Sequence, residues 1–593
     1  MGNSEMDTMV HQQNDKGTWV MELHVDLQTK PFYLDQEQIG WVKKTIEQMS
    51  LEDKIGQLFL FFSIGNQPAS EKIETLEQIG LKPCGFLLRG ATAESVRQKV
   101  EDFQNHYEIP LFIAGDLERG ACNMISDGTS YGHLMEIAAA DDPELAYRAG
   151  LCCAKESVAV GVNWNFGPVV DIDYNPFNPV TNVRTFGSDP DRVLRLARRM
   201  AQGMRDGGLI PCAKHWPGDG VDGRDQHFLA SINSLSVEEW DESYGKVYQG
   251  MIDDGMETVM AAHIMQPAYT RLYNPEIADE DILPASLNYD LYHKLLRGKL
   301  GFNGLIITDA TSMGGFTEVV PRSLAVPMSI ANGADIFLAT RDMEEDFKYM
   351  KQGVEDGILT MDRLEEALAR ILGLKAKMNL HTKKDAGTLV PPVEALEIFQ
   401  KKEGYALAKE MADRSVTLVK DTQKLLPLNP IKTPNIYMIT IGDIANYHNP
   451  QGGYAKLFVE KMTEKGFHIT CYEQGTETAV EIARGKIEEF RKKYNIILYF
   501  CNVATTGTDS AARISWPGLR DTVPTMIHDI PTMMVSVDNP YHLLDAPRIS
   551  TYVNAYTSED IVVETLVEKL VGESAFKGVS PVEAFVGLFN AGK

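Results

Sequence analysis

Residues 208–227 read GLIPCAKHWPGDGVDGRDQH, and the break inside this stretch decides the fold. The run Ile210–Lys214 is apolar almost throughout instead of alternating, as expected of a strand covered on both faces. A polar loop follows, with glycines at 218, 220 and 223. The same grammar of apolar run, polar loop and helical stretch recurs on either side. Seven further runs are Gln57–Phe62, Gly85–Leu88, Leu111–Ala114, Trp164–Val170, Thr258–Ala262, Leu305–Thr308 and Asp335–Leu338. Eight doubly buried runs in under about 300 residues predict an α/β fold, an N-terminal (β/α)8 barrel of the TIM type.

The barrel is expected over residues 36–380, after an N-terminal extension, 1–35. Its last helix should start at Thr360 as N-cap and pack a stripe of Met361, Leu364, Leu368, Ile371 and Leu372 on the outside of the barrel. HTKKDAGTLVPP, residues 381–392, is polar, ends in Pro-Pro and lacks periodicity, so residues 381–398 read as a linker. Beyond an amphipathic helix around Glu403 to Ala412, six more apolar runs lie at Val416–Val419, Ile436–Ile441, Ile469–Tyr472, Ile496–Phe500, Met533–Val537 and Tyr552–Ala555. A helical pattern, Val480 to Lys493, falls among them. Residues 399–593 therefore read as a smaller, open α/β sandwich.

Composition limits the partners. A net charge of −26 repels phosphate backbones and anionic lipid, which excludes nucleic acid and membrane surfaces as partners. The seven cysteines are odd in number and lack C-x-x-C spacing, which suits free thiols in a reducing compartment. No apolar run approaches the roughly eighteen residues that span a bilayer. Residues 1–35 carry no apolar signal core, so a cytoplasmic location is expected. The expected ligand is a small oligosaccharide; the sequence leaves the oligomeric state open.

In a barrel, chemistry sits on the loops beyond the strands' C-terminal ends. Those positions are polar here: Asp116-Leu117-Glu118-Arg119 after run three, Asp171-Ile172-Asp173 and then Arg184 after run four, Lys214-His215 ending run five, His263 after run six and Asp309 after run seven. Asp171 and Asp173 are candidate partners for Arg184. Three decoys fail on context. Gly218, Gly220 and Gly223 follow a proline and open no apolar helix, against dinucleotide binding. No strand leads into Gly128-Thr129-Ser130-Tyr131-Gly132, against a nucleophile elbow. Asp219, Asp222 and Asp225 fall every third residue, unlike a calcium loop. No metal and no cofactor are expected.

KHWPGDGVDGRDQH (214–227), ITDATSM (307–313), GVNWNFGPVVDIDYNPFNPVTNVRTFGSDP (161–190) and IAGDLERG (113–120) stand in the order of the motifs of glycoside hydrolase family 3, which this sequence resembles. SVTLVKD and LLPL, between 415 and 428, resemble the entry to that family's second domain. The Asp-x-His triplet resembles the branch that cleaves β-N-acetylglucosaminides. The resemblance implies Asp309 as nucleophile, His227 as acid/base oriented by Asp225, and Asp116, Arg184, Lys214, His215 and His263 around the sugar. Retaining hydrolysis needs a carboxylate beneath the anomeric carbon and a proton donor beside the leaving oxygen, which suits these roles. An imidazole held at one nitrogen by a carboxylate has its tautomer set. The sequence departs from the family at Asp219, where histidine is usual, and at Glu118-Arg119-Gly120-Ala121, where Glu-Gly-Gly-Arg is usual. Asp219 reads as a residue of the rim. The implied activity is a retaining β-N-acetylglucosaminidase acting on cell-wall or chitin oligosaccharides. The alternatives are a β-glucosidase, a phosphorylase on the same scaffold, and a non-catalytic sugar-binding protein.

Overall fold

The computed structural model describes residues 11–13, 19–21, 23–65, 67–400, 402–444, 452–504, 513–518 and 521–592. Each of the eight N-terminal apolar runs overlaps a strand: β1 (Phe59–Ile64), β2 (Gly85–Arg89), β3 (Phe112–Gly115), β4 (Trp164–Asn165), β5 (Cys212–Trp216), β6 (Thr258–Ala261), β7 (Leu305–Thr308) and β8 (Phe337–Leu338). The strands are parallel and curl as one sheet in the order β8-β1-β2-β3-β4 and a second in the order β5-β6-β7. Single parallel bridges, Trp164 to Ile210 and Ile307 to Ile336, join the edges of the two. Burial explains the unalternating sequence: every residue of β3, β5, β6 and β7 is buried.

Amphipathic helices cover the outside. Helices α1 (Pro143–Ala159) and α2 (Pro190–Asp206) each open with a proline behind an aspartate cap, Asp142 and Asp189, whose carboxylates accept from Glu144 and Asp191 N–H. A single turn, α3 (Gly314–Thr317), follows β7. Helix α4 (Met361–Lys377) starts as expected, with the Thr360 hydroxyl accepting from the Arg363 N–H. Its Leu364, Leu368, Ile371 and Leu372 are wholly buried. The same helix is pinned by charge, because Arg363 donates to Asp335 at 2.6 Å, just ahead of β8.

The stretch expected to be a bare linker holds a helical turn, Leu380–Asp385, and a 3-10 stretch, Val393–Gln400. Leu380, Leu389, Val390 and Leu396 pack on the first core, which local polarity in the sequence does not reveal. Helix α5 (Glu403–Ser415) then leads into six strands, β9 (Thr417–Asp421), β10 (Asn435–Gly442), β11 (His468–Cys471), β12 (Ile496–Asn502), β13 (Thr532–Ser536) and β14 (Thr551–Asn554). Their order is β9-β14-β13-β12-β10-β11, with only β9 antiparallel. Separate hydrophobic clusters lie on the two faces of this sheet. The helix expected from Val480 to Lys493 is two, Glu477–Arg484 and Ile487–Lys493, because Gly485 turns extended between them. Among the described residues no helix is long and apolar enough to cross a membrane.

Candidate active site

The C-terminal ends of β2, β3 and β5 place alternating charges together. Arg89, the last residue of β2, donates to Asp116 Oδ2 at 2.8 Å. Lys214 in β5 reaches Asp116 Oδ1 at 3.2 Å and Glu118 Oε1 at 2.7 Å. Arg184 grips Glu118 with two parallel bonds of 2.8 and 2.9 Å and donates a third to the Val180 carbonyl. Burial opposes charge on both carboxyls. Lys214 and Arg89 outweigh it at Asp116, and Arg184 and Lys214 hold Glu118 well below its usual range. Three cations against two carboxylates give a rigid polar floor of fixed charge, suited to hydroxyl groups rather than to an apolar ligand.

Arg184 therefore pairs with Glu118, and neither expected partner holds it. Asp171 Oδ2 instead takes His215 Nδ1 at 2.6 Å, while its Oδ1 accepts the backbone N–H of His215 and of Asp219. Asp173 accepts from Thr181, from the Asn182 N–H and from the hydroxyl of Tyr541, a residue of the C-terminal part. Both aspartates follow β4 in a loop whose long-range partners no local pattern announces.

Asp309 stands at the end of β7, where its N–H continues the ladder to Ala261 O at 2.7 Å. It caps no helix, because α3 begins five residues later with Met313 at its N-cap. Burial disfavours its charge, but the pull of His215 above all opposes this and the Ala310 N–H bonds it, so the carboxyl lies below its ordinary value. His263 is 0% exposed, with Nδ1 at 2.9 Å from Ser286 Oγ and Nε2 at 3.1 Å from the Ala310 carbonyl. A carbonyl can only accept, so Nε2 carries the proton, and burial lowers the pKa of the ring, which keeps it neutral. With both nitrogens engaged, His263 supports the turn that carries the nucleophile candidate.

His227 and Asp225 form the expected dyad. Asp225 Oδ1 accepts both the His227 ring, Nδ1 at 2.6 Å, and its backbone N–H at 2.8 Å. The aspartate side chain is 3% exposed and the imidazole 34%, so the orienting group is sheltered while the ring reaches solvent. An imidazole oriented by a carboxylate and a second carboxylate are the two kinds of group that glycoside cleavage uses.

Asp219 is not at the rim. It is 2% exposed, with bonds from Asn178 Nδ2 at 2.9 Å, the Gly220 N–H at 2.7 Å and Gln226 Nε2 at 3.3 Å. Burial and the neighbouring Asp171 push its pKa up to about 6, against the pull of His215. It belongs to the framework of the β5 loop. The sequence reading missed Arg89 as a member of the site and gave Asp171 the wrong partner, Arg184 in place of His215. The signal for Arg89 was present, a lone cation closing a buried strand; Asp171 looked interchangeable with Asp173.

The C-terminal part touches the same face. Ser130 donates to Glu559 at 2.8 Å, and the His133 N–H to Thr557 at 2.9 Å. Arg119 and His133 approach Glu559 and Asp538 at 3.8 and 3.7 Å. The loops after β3 and β4 thus meet the ends of β13 and β14.

Residues 50–374 match the family described as glycosyl hydrolase family 3 N terminal domain. A β-N-acetylglucosaminidase/β-glucosidase of Cellulomonas fimi is 41% identical over 572 residues, 95% of this chain and 99% of that protein. The solved structure of the β-glucoside phosphorylase BglX bound to 2FGlc superposes with a TM-score of 0.89 at 43% identity, over 95% of this chain and 99% of that one. A glycoside hydrolase family 3 β-N-acetylglucosaminidase from Paenibacillus sp. str. FPU-7 shares the fold at a TM-score of 0.72 and 24% identity, over 91% of this chain and all of that one.

Proposed function

The chain belongs to glycoside hydrolase family 3, and from that premise we propose that it is a retaining β-N-acetylglucosaminidase acting at the non-reducing end of small oligosaccharides. Asp309 attacks the anomeric carbon. His227, oriented by Asp225, protonates the leaving oxygen and then activates the acceptor. Asp116, Arg184, Lys214 and His215 hold the sugar hydroxyls, with His263 beneath the nucleophile. The observation that carries this reading is the 2.6 Å Asp225–His227 bond, in a site whose partly exposed carboxyl, Asp309, lies below its ordinary pKa.

The amino-sugar glycone is supported by the names of the Cellulomonas fimi relative and of a β-hexosaminidase A from Pseudoalteromonas piscicida, 32% identical over 299 residues. Glucose as the glycone is the alternative that the first of these names also carries. Cell-wall or chitin fragments in the cytoplasm are the substrates that fit a small, neutral or weakly charged ligand and a chain of net charge −26. The architecture belonging to this reading is an extension over 1–35, a closed (β/α)8 barrel over 36–380, a linker over 381–398 and an α/β sandwich over 399–593.

A second acceptor is favoured by one feature of the site. An imidazole acid/base, unlike a carboxylate, places no negative charge where an attacking phosphate would arrive, and the β-glucoside phosphorylase is 43% identical over nearly the whole chain. The test is a panel of nitrophenyl β-glycosides (GlcNAc, glucose, xylose, GalNAc), each with and without phosphate, with the sugar product identified. Free GlcNAc as the main product supports the hydrolase. Sugar 1-phosphate formed faster than free sugar assigns phosphorolysis, and a flat response to every glycone would sink the assignment.

A further inference from the structure

Between the two residues of the dyad lies Gln226, which is 1% exposed and reaches no open surface. Its Oε1 accepts the backbone N–H of His263 at 2.9 Å, at the end of β6, and its Nε2 donates to Asp219 Oδ2 at 3.3 Å. The amide can face only this way, since the reverse would oppose two N–H groups at one end and two oxygens at the other. The backbone on either side of it is also held. Gly315 N–H donates to the Gln226 carbonyl at 3.1 Å and Gly314 N–H to the His227 carbonyl at 2.8 Å. A Cβ at 314 would stand 1.8 Å from the Phe228 carbonyl, and one at 315 would stand 2.8 Å from that of Gln226, so only glycines admit so close an approach. Gly314 is five residues beyond Asp309 on the same segment. The acid/base loop is thereby tied to the segment that carries the nucleophile and to the end of the neighbouring strand.

We propose that Gln226 is a positioning residue, the buried pin that, with the Gly314 and Gly315 amides, sets His227 over Asp309. The proposal rests on His227 being the acid/base. A proton donor must be held within about half an ångström of its productive place, and a loop secured only by its ends does not achieve this. Gln226 touches no substrate and acts through its neighbour.

The experiment compares kcat/KM, which reads the bond-breaking step, for a nitrophenyl glycoside and a disaccharide of the same glycone. Gln226→Met keeps the length of the side chain and removes its polar bonds. It should lose roughly 10- to 100-fold on the disaccharide and under about 3-fold on the nitrophenyl substrate. Combined with His227→Ala, it should cost nothing further on the disaccharide. Should Gln226→Met melt below the assay temperature, Gln226→Glu, which keeps the acceptor for the His263 N–H but sets a carboxylate against Asp219, is read by the same criterion. Equal losses on both substrates, or no loss on either, overturn the proposal. If His227→Ala itself loses equally on both substrates, the acid/base reading has failed and this inference falls with it. If His227→Ala is selective and the Gln226 variant is not, only the inference falls.

Discussion

Asp309 lies below its ordinary pKa because His215 above all, with the Ala310 amide, outweighs its burial, and an ionised carboxylate acts chiefly by stabilising the transition state. Asp309→Gly is expected to lower kcat by about a thousandfold or more while leaving sugar affinity nearly intact, with azide restoring turnover of an activated substrate. Retention of more than about a tenth of the rate would place the nucleophile elsewhere. The dyad predicts a different pattern, because a nitrophenolate leaves almost unaided whereas a sugar alkoxide needs a proton. His227→Ala should fall by roughly 100-fold or more on a disaccharide and far less on a nitrophenyl glycoside. Asp225→Ala should show the same pattern more mildly, since it removes the orienting carboxylate and leaves the imidazole. The two losses should not add, because the residues act as a unit. An additive double variant would separate their roles.

At the scale of elements, helix α4 is attached to the strands through Asp335, which is wholly buried and accepts Arg363 at 2.6 Å, Arg297 at 3.0 Å and the Ile306 N–H at 2.8 Å. Such a network adds little over an apolar contact of the same shape. Removing one partner, however, strands the charges of the others in the interior. Asp335→Ala is expected to destabilise the N-terminal part by about 3 to 5 kcal/mol, visible as a drop in the first unfolding transition, although Asp335 lies at the end of the strands away from the catalytic loops. A melting curve matching wild type would show that the arginines find other partners. The Thr360 cap and the apolar stripe of α4 were legible because they are local: one hydroxyl and a 3.6-residue period. The Asp335 ion pair was not, since it joins residues 28 apart along the chain.

Across the whole molecule, burial pushes three carboxyls at the seam between the two parts far up: Asp173 to about 6, Asp538 to about 7 and Glu136 to about 8. Each holds its proton more tightly folded than unfolded, where an ordinary carboxyl titrates near 4. Their contribution to stability is therefore complete below about pH 4 and is lost as the pH rises through their folded values, from about 6 to 8. Asp538→Asn removes one such titration without adding charge. Its Tm should fall less than that of wild type between about pH 5 and 8, measured by calorimetry. Equal slopes would show that Asp538 does not titrate in that range.

The alternation of apolar runs with polar loops, the six later runs and the order of four motifs were present in the sequence alone. They depend on which residues are apolar and on how far apart they stand along one chain. That was enough for the strands, for Asp309 at the end of β7 and for the Asp225–His227 pair, whose members are two residues apart. What joins distant residues was decided only by the tertiary structure. Arg184 chose Glu118 over Asp171 and Asp173, Asp219 went inside, Gln226 pinned the dyad loop, and Tyr541 crossed from the second part to Asp173. The reason is physical: a buried polar group must find its partner wherever the fold brings one, and its choice follows from distances that no spacing along the chain encodes.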